Sequence, residues 1–559
     1  MPPKRRYTGW LLLVSLLLVA LYLGSLSREV VGPGESRVAQ LAWEMHQYGN
    51  WLLPTYNDEV KPTTLTKPPL YHWLVVAVAT PLGWEDYALR LVSVAALLAS
   101  VWLSWWLGRR LFKDPEPAFW GALVLASALV FVVYGQSARM DLFFSFLVLL
   151  AMALLYRMVE DPAEKAPKVG FFVVIGLAML VKGPAGFIIP GSTALFMTLG
   201  RGRSATLGQL LPPWGWLLFL VIGLSWYLAV ALLAPPEAVK SLFIGEPLNW
   251  AEGNADGIQT RIWYYLPLLL GGLFPWSLFL AAALVAAMGS GHRQERPVRF
   301  LLFWFLGGLL LFSLGGKKAI RYLLPILPAA ALLVGWYFHR LKVRGRIGWG
   351  GRLAGALVSL LSALLVLGLL WGLADPDAAG RWLLEGRNPT DRVVLGILWN
   401  TMADHRALTA AVALVLLGLS SFALHRLHRA RIEAAVVSYA LVSWMVLASY
   451  FYGLLPVQSA LLSPRAAAQF IAREVGDAPL LGGGRAFQRA MHWYLRRSFE
   501  PLPARQLRER IATDPSQAAF FMHYRPLPAE LEARPHCQWI NPKYRISFFP
   551  VAGTELACP

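Results

Sequence analysis

Cysteine is nearly absent from this chain of 559 residues, which contains only Cys537 and Cys558. Two cysteines cannot supply the Cys/His spacing of a structural metal site, so composition excludes that class. Both lie beyond the last long apolar run. A disulfide between them suits an oxidising compartment, and two independent thiols are the alternative, because a sequence gives no distance between the two residues.

Charged residues are also scarce. They make up 15% of the chain, against about a quarter in soluble domains, while hydrophobic residues make up 57%. This balance predicts a polytopic α-helical membrane protein. The net charge of +19 could suggest a nucleic-acid partner, but Lys and Arg occur in short clusters between apolar runs. Because that pattern orients membrane helices, we expect no nucleic acid to bind.

No cleavage site of small residues follows the first apolar run, Tyr7 to Leu26, which comes directly after a basic cluster at residues 4–6. The run therefore predicts a retained first helix with a cytoplasmic N-terminus rather than a cleaved signal peptide. A second helix is predicted on the membrane surface. Apolar residues recur there at helical spacing from residue 38 to 48, and Gly49 is a suitable C-cap.

Apolar runs of spanning length continue along the chain. The segment Tyr71–Leu82 is too short to cross and is expected to be interfacial or re-entrant, since counting it as a span would move most basic clusters to the outer side. With the first helix, the spans then number about thirteen. The others are residues 87–108, 117–136, 142–158, 169–186, 187–200, 213–234, 263–288, 299–315, 320–338, 352–374, 407–424 and 433–455.

The odd number of spans places the last hundred or so residues on the outer side. The chain is therefore divided into a transmembrane domain, residues 1–456, with a first outer loop at 27–86, and an outer domain, residues 457–559. The outer domain alternates Gly/Pro-rich turns with apolar runs such as Ala519–Met522 and Ile546–Phe549. That alternation predicts a small α/β domain.

The predicted topology gathers unusual polar residues on the outer side. Lys317, Lys318 and Arg321 fall in one short outer loop, against the tendency of basic residues to stay inside. An anionic partner would compensate them, and a phosphate at the headgroup level fits. The other members of the group are Glu35, Arg37, Lys67, Arg139, Asp141, Lys182 and Glu246.

Most of these residues have a purely structural alternative. Glu35 and Asp141 suit the first turns of helices, where a carboxylate interacts favourably with the helix dipole. Lys67 can reach lipid headgroups, and the cations after residue 316 can bind ordinary anionic lipids. Lys182 precedes a Gly-Pro pair that can simply end a helix. No single residue decides between the two interpretations.

Six short motifs together resemble a known family. They occur in the order found in C-type (GT-C) glycosyltransferases, and the chain looks most like the bacterial aminoarabinose-transferase and protein-mannosyltransferase superfamily. The resemblance runs from about residue 8 to residue 340. The motifs are Gly34-Glu35-Ser36-Arg37-Val38-Ala39, Gly49-Asn50-Trp51-Leu52-Leu53-Pro54, Lys67-Pro68-Pro69-Leu70, Arg139-Met140-Asp141, Lys182-Gly183-Pro184 and Arg321-Tyr322-Leu323-Leu324-Pro325.

The resemblance implies a GT-C fold and the inverting transfer of a sugar from undecaprenyl phosphate, without a metal or another cofactor. The acceptor would be lipid A, another cell-envelope glycan or a protein hydroxyl. The protein would lie in the bacterial inner membrane, and its outer domain would be periplasmic.

The resemblance also implies roles for individual residues. Glu35 or Asp141 would orient the acceptor or accept its proton, and Lys182 and Glu246 would contact the substrate. Fixed donors would hold the leaving phosphate, because such donors stabilise developing charge well in a site with little water. These donors are Arg37, Lys67, Lys318, Arg321 and Tyr322.

One position departs from the family pattern. The family has Asp-Glu in the first outer loop, and here Gly34 stands at the Asp position beside Glu35. Either Glu35 or Asp141 takes over, or the acceptor is already anionic, or catalysis is impaired. Two other classes stay open. One is a non-catalytic polyprenyl-phosphate-binding protein, and the other is a lipid transporter or flippase, although the internal repeats typical of transporters are not evident.

Overall fold

The computed structural model describes residues 3–55, 65, 67–199, 206–248, 261–289, 291–385, 389–483, 488–497, 499–502, 504–514, 516–523, 527, 529–540, 545–551 and 558. The predicted first outer loop therefore falls partly outside the described residues, at positions 56–64 and 66. The same holds for short stretches of the predicted outer domain, which include residues 552–557.

Long apolar helices dominate the described part of the chain. Eight of its helical segments are long and apolar enough to cross a membrane. Some expose large apolar side chains, as for Leu364 at 56% and Val415 at 50%, which suits contact with lipid. The eight segments are Arg6–Leu23, Ala88–Phe112, Met140–Glu160, Arg296–Leu314, Ile320–Arg344, Trp349–Ala374, Arg406–His428 and Ile432–Val475.

Three further pairs of apolar helices are bent at a short break. Their bends measure 65°, 46° and 117° in chain order, and the described residues contain up to eleven spans if each pair crosses once. The pairs are Pro115–Ala126 with Leu129–Gly135, Pro213–Gly223 with Ser225–Leu233, and Ile262–Gly272 with Ser277–Met288.

The polytopic helical fold is confirmed, whereas the count of thirteen spans stays a prediction. The predicted spans 169–186 and 187–200 correspond to the helices Lys165–Lys182 and Ala185–Thr198, and the second has only 14 residues. The segment expected to be interfacial or re-entrant forms the 13-residue helix Leu70–Leu82. Its length of about 20 Å is too short for a hydrocarbon core of about 30 Å.

Shorter helical elements lie within, between or beside the spans. They include 3₁₀ turns at Ala88–Arg90, Ile262–Tyr264 and Ile320–Ile326, and π turns at Ser241–Gly245 and Ser449–Leu454. The other short α-helices are Pro33–Tyr48, Leu207–Leu210, Pro236–Lys240, Pro376–Leu384, Pro389–Asp404, Leu455–Leu462 and Arg465–Val475.

The helix Pro33–Tyr48 lies within the predicted first outer loop. Pro33 is in its first turn, where the missing N–H would have no partner in the helix. Gly49 ends the helix with a φ of 71° and donates its N–H to the Met45 carbonyl at 3.1 Å. This left-handed conformation suits glycine. The predicted helix and its C-cap are therefore confirmed.

The C-terminal part contains a five-stranded sheet. Its strands are β1 (Leu480–Gly483), β2 (Glu500–Leu502), β3 (Ala518–His523), β4 (Cys537–Ile540) and β5 (Arg545–Phe549), and the helices among them are Gln488–Leu495, Ala504–Thr513 and Ala529–Glu532. The strand order is β2-β1-β3-β5-β4. Strand β1 is parallel to β2 and β3, whereas β5 is antiparallel to β3 and β4. The predicted small α/β domain is confirmed.

A disulfide joins Cys537 to Cys558, with the two Cα atoms 5.4 Å apart. The sequence left open a disulfide or two independent thiols, and the structure contains the disulfide. Cys537 lies in β4, at the edge of the sheet, so the bond ties the end of the chain to that edge strand.

Candidate active site

Asp141 lies at the centre of a cluster of cations. It occupies the first turn of the helix Met140–Glu160, and its side chain is only 5% exposed. Its Oδ1 accepts a hydrogen bond from Lys182 Nζ at 2.6 Å and lies 3.6 Å from Arg321 Nε, and its Oδ2 accepts from Arg139 Nε at 3.4 Å. One carboxylate thus faces three cations. This charge excess would favour an anionic ligand.

The local structure explains why these cations converge. Lys182 is the last residue of its helix, which Gly183 ends with a φ of 76°, and Arg321 belongs to the 3₁₀ turn Ile320–Ile326. Arg139 is extended directly before the helix that carries Asp141. The structural alternatives for Asp141 and Lys182 are therefore also correct, since the same residues begin and end helices. The ends of these helical elements bring the Asp141 carboxylate and its three cations together.

Tyr322 forms one wall of this cluster. Its ring centroid lies 4.8 Å from Lys182 Nζ and 5.2 Å from the Arg321 guanidinium carbon, and the ring stacks on Phe312 at 5.9 Å. A second ring, that of Phe144, lies 5.3 Å from the same ammonium group. The electrostatic attraction between a cation and an aromatic face helps to hold these cations in position.

Lys67 and Glu246 form an ion pair beside the cluster. Lys67 Nζ donates to Glu246 Oε2 at 2.8 Å, across 179 positions of sequence, and both side chains are about one third exposed. Lys67 lies within electrostatic range of Lys182, and Glu246 within range of Tyr322. A predicted ligand of the donor phosphate, Lys67, therefore meets a predicted substrate contact, Glu246. An incoming phosphate would compete with Glu246 for Lys67.

Glu35 is enclosed by two guanidinium groups. Its Oε1 accepts from Arg90 Nε at 3.1 Å and from the Ala138 N–H at 2.8 Å, and its Oε2 accepts from Arg28 at 3.0 Å and from Arg90 Nη2 at 3.2 Å. Burial alone would raise the pKa of Glu35, but Arg90 and Arg28 outweigh it and lower that pKa to about 2. Such a carboxylate organises its surroundings and is a weak base.

Gly34 lies against the guanidinium of Arg139. A Cβ atom at residue 34 would overlap Arg139 Nη1 and lie 2.6 Å from its Cζ, so any side chain there would displace the guanidinium. Arg139 thus takes up the space beside the position where the resembled family carries an aspartate. Instead it pairs with Asp141 and lies 5.8 Å from the Tyr134 ring centroid.

The remaining predicted phosphate ligands are Arg37 and Lys318. Arg37 lies one turn beyond Gly34 on the helix Pro33–Tyr48, and its buried Nε has no hydrogen-bond partner among the described residues. Lys318 is 4% exposed and lies three residues before Arg321. The structure thus brings Asp141, Lys182, Arg321 and Tyr322 into contact, with the Lys67–Glu246 pair beside them. In the described part of the chain, no hydrogen bond or ion pair joins Arg37 to that cluster.

The sequence reasoning missed the partners of Glu35. Arg90 is fully buried and also donates to the carbonyls of Leu26, Arg28 and Asp86, at 2.5, 2.7 and 3.2 Å. A signal was present, because Arg90 is a charge in the first turns of an otherwise apolar span. The sequence placed Arg139 among the outer cations but predicted no catalytic or binding role for it.

The C-terminal domain contacts this network through Asp86. Trp493 Nε1 donates to Asp86 Oδ1 at 2.8 Å, and the Tyr494 hydroxyl donates to Oδ2 at 3.1 Å. The same hydroxyl accepts from the Val30 N–H at 2.6 Å. Because the Asp86 carbonyl also accepts from Arg90, the helix Gln488–Leu495 is joined to the residues that hold Glu35.

Comparisons with known proteins point to one family. The chain matches the family described as dolichyl-phosphate-mannose-protein mannosyltransferase over residues 66–231. It is similar to the undecaprenyl phosphate-alpha-4-amino-4-deoxy-L-arabinose arabinosyl transferases of Edwardsiella ictaluri, with 28% identity over 70% of each chain, and of Pseudomonas aeruginosa strain UCBPP-PA14, with 32% identity over 66% of each chain. The match thus spans about two thirds of these relatives.

The fold has a close counterpart among solved structures. The crystal structure of ArnT from Cupriavidus metallidurans bound to undecaprenyl phosphate has a TM-score of 0.78 and 20% identity, and the match covers 98% of this chain and 100% of that chain. The apo form of the same protein gives a TM-score of 0.75. The sequence relatives and the shared fold agree with the motif resemblance. This chain therefore belongs to the GT-C glycosyltransferases of the aminoarabinose-transferase type.

Proposed function

We propose that this protein transfers a sugar from undecaprenyl phosphate to an acceptor in the bacterial cell envelope. The observation that carries the proposal is the buried Asp141 carboxylate with three cations around it and the Lys67–Glu246 pair alongside. The names of the relatives support undecaprenyl phosphate-α-4-amino-4-deoxy-L-arabinose as the donor. Lipid A is the first acceptor to test, followed by another envelope glycan and a protein hydroxyl.

The proposed chemistry is a single inverting displacement. An acceptor oxygen forms a bond to the anomeric carbon while the bond from that carbon to the phosphate oxygen breaks, and undecaprenyl phosphate leaves with the electron pair. Lys67 and Arg321 stabilise the charge that grows on this phosphate, with Tyr322, Arg37 and Lys318 in supporting roles. Arg offers a planar fork and Lys a point charge, which suits a group with several oxygens.

Among the predicted acids, we assign the acceptor contact to Asp141. Among the residues that the structure describes, Glu35 accepts hydrogen bonds from Arg28, Arg90 and the Ala138 N–H, whereas Asp141 Oδ2 accepts one, the 3.4 Å bond from Arg139. Glu35 then holds the first outer loop, and Asp141 orients the acceptor or accepts its proton. Lys182 keeps Asp141 in place, and Glu246 neutralises Lys67 until the donor binds.

The proposal includes a topology. The N-terminus is cytoplasmic, the transmembrane catalytic domain covers residues 1–456, and the domain formed by residues 457–559 is periplasmic. The Cys537–Cys558 disulfide supports the periplasmic side, because such bonds persist in oxidising compartments. The Asp141 cluster then lies at the outer face, where a lipid-linked sugar meets an envelope acceptor.

A transfer assay tests the function. Purified protein in proteoliposomes is incubated with radiolabelled undecaprenyl phosphate-α-4-amino-4-deoxy-L-arabinose and bacterial membrane extract, and the label is followed into lipid A, glycan and protein fractions. Lys67→Ala should lower transfer about 100-fold or more while the fold stays intact, because it removes a charge from the leaving-group site. Lys113→Ala is the control, since Lys113 is 71% exposed and pairs with Glu160.

The outcomes separate the three classes of protein. Label that reaches an acceptor in wild type and fails to do so in Lys67→Ala supports the transferase. Donor that binds but is never consumed by wild type indicates a non-catalytic binding protein. Label that crosses the bilayer while still attached to undecaprenyl phosphate indicates a flippase. A fully active Lys67→Ala variant contradicts the phosphate assignment.

A further inference from the structure

Two buried polar side chains lie near Arg37 and take no part in the chemistry above. Gln40 follows Arg37 by one turn on the helix Pro33–Tyr48 and is 4% exposed. His72 lies in the first turn of the helix Leu70–Leu82, within electrostatic range of Arg37, and is 2% exposed. Gln40 Oε1 and both ring nitrogens of His72 are buried and have no hydrogen-bond partner among the described residues. Native proteins rarely leave such atoms without a partner, so each calls for an explanation.

The donor and acceptor pattern of these two side chains is fixed by their neighbours. Gln40 Nε2 donates to Glu44 Oε1 at 2.8 Å, and because a carboxylate only accepts, the amide has one possible orientation. Its Oε1 is therefore an acceptor without a donor. Burial lowers the pKa of His72 to about 4, and nearby Arg37 lowers it further in the same direction. At neutral pH His72 thus offers one donor and one acceptor.

A phosphate does not match this pattern. Phosphate oxygens accept hydrogen bonds, so they suit the guanidinium of Arg37 and repel the carbonyl oxygen of Gln40. Hydroxyl groups both donate and accept, and an amino group donates, so an aminosugar can satisfy Gln40 Oε1 and both nitrogens of His72. His72 also lies only five residues after Lys67, which the proposed function assigns to the donor phosphate. The sugar of that donor is joined directly to this phosphate.

We propose that Gln40 and His72 bind the sugar ring of the lipid-linked donor, beside the cations that hold its phosphate. The proposal rests on the proposed function, because it extends the same donor site from the phosphate to the sugar. Ordered water is the alternative partner for the same atoms. The two explanations differ in one respect: only sugar binding makes these residues matter more for the sugar-bearing lipid than for the bare lipid.

The affinities for two lipids distinguish sugar binding from ordered water. The Kd is measured for undecaprenyl phosphate and for undecaprenyl phosphate-α-4-amino-4-deoxy-L-arabinose with wild type, Gln40→Met and His72→Phe. Each variant should bind the sugar-bearing lipid roughly tenfold more weakly, the usual effect of losing one or two hydrogen bonds. The affinity for undecaprenyl phosphate should stay the same. Gln47→Met is the matched control, because Gln47 is exposed on the same helix.

His72→Gln keeps a donor and an acceptor and should restore part of the lost affinity. Equal losses for both lipids would overturn the proposal, because they indicate a phosphate contact or a damaged fold. Unchanged binding of both lipids would also overturn it, in favour of ordered water. A wild-type protein that binds neither lipid contradicts the proposed function itself, which is a separate and recognisable failure.

Discussion

At the scale of single residues, Glu35 and Asp141 are neighbouring carboxylates in different settings. Glu35 is saturated by two guanidinium groups and a backbone N–H, whereas Asp141 faces an excess of cations beside the Lys67–Glu246 pair. The family carries an aspartate at the position of Gly34. In this structure the guanidinium of Arg139 lies where a side chain at residue 34 would begin. The two acids therefore have different expected responses to substitution.

Glu35→Gln should lower the free energy of unfolding by about 3 kcal/mol, because it leaves two buried guanidinium groups without their counter-charge. Denaturant titration in detergent measures this change. Glu509→Gln is the control. It removes an exposed ion pair with Arg505, which contributes less than about 1 kcal/mol. Equal stabilities of wild type and Glu35→Gln would mean that Glu35 does not organise the first outer loop.

Gly34→Asp should weaken the binding of undecaprenyl phosphate about tenfold, since a new carboxylate against Arg139 reduces the positive charge of the site. Gly34→Asn is the matched control, because it adds nearly the same volume without charge and displaces the same guanidinium. The Kd of each variant for undecaprenyl phosphate separates the effect of the added charge from the effect of the added volume. If both variants lose the same affinity, space rather than charge governs this position.

Two buried histidines, His72 and His492, make stability depend on pH, because burial lowers the pKa of each to about 4. His72 is the one that a substitution tests here. Its pKa is near 6.5 in the unfolded chain and about 4 in the folded protein, so between these values the unfolded state binds the extra proton. The contribution of His72 to stability is therefore complete above pH 6.5 and falls by about 3 kcal/mol as pH drops to 4. Unfolding titrations across this range should show a smaller slope in His72→Phe than in wild type, and the remaining slope includes the contribution of His492. An unchanged slope in the variant contradicts this assignment.

At the scale of elements, helix ends do most of the positioning. Met140–Glu160 begins next to Asp141, Lys165–Lys182 ends at the lysine that contacts it, and the 3₁₀ turn Ile320–Ile326 supplies Arg321. The helix Gln488–Leu495 of the C-terminal domain fixes the start of Ala88–Phe112 through Asp86. The site thus depends on elements from both predicted domains.

Tyr494→Phe tests the contact between the C-terminal domain and the first outer loop. The hydroxyl donates to Asp86 and accepts from the Val30 N–H, so its loss leaves both groups without this partner. Hydrogen exchange of the Val30 amide should become at least about fivefold faster, in line with about 1 kcal/mol for a lost hydrogen bond. Tyr87→Phe is the control, because the Tyr87 hydroxyl donates to the nearby Leu82 carbonyl and not to Asp86 or Val30 among the described residues. Unchanged exchange contradicts the contact.

Periodicity and end signals in the sequence were enough to predict many elements. The surface helix with its Gly49 cap, the spans around residues 142–158 and 352–374, and the α/β character of the tail all follow from local patterns. The bends within the three helix pairs were not predicted. A bend depends on what packs around the break, and hydropathy carries no information on that packing.

At the scale of the whole molecule, the polytopic fold and the identity of most residues in the cluster could be predicted, but their pairing could not. Motif order indicated that Lys67, Asp141, Lys182 and Arg321 belong to one site. That Lys67 pairs with Glu246, 179 positions away, depends on how the helices pack in three dimensions. Arg90 was missed for the same reason, since its partner Glu35 lies 55 positions earlier.

The central claim is that the donor phosphate binds at the cations around Asp141. A cryo-EM structure of the protein with undecaprenyl phosphate tests this claim most directly. The account predicts density for the phosphate within hydrogen-bonding distance of Lys67 Nζ and Arg321, with the carboxylate of Glu246 displaced from Lys67. Phosphate density at another site, with the Lys67–Glu246 pair still intact, would contradict it.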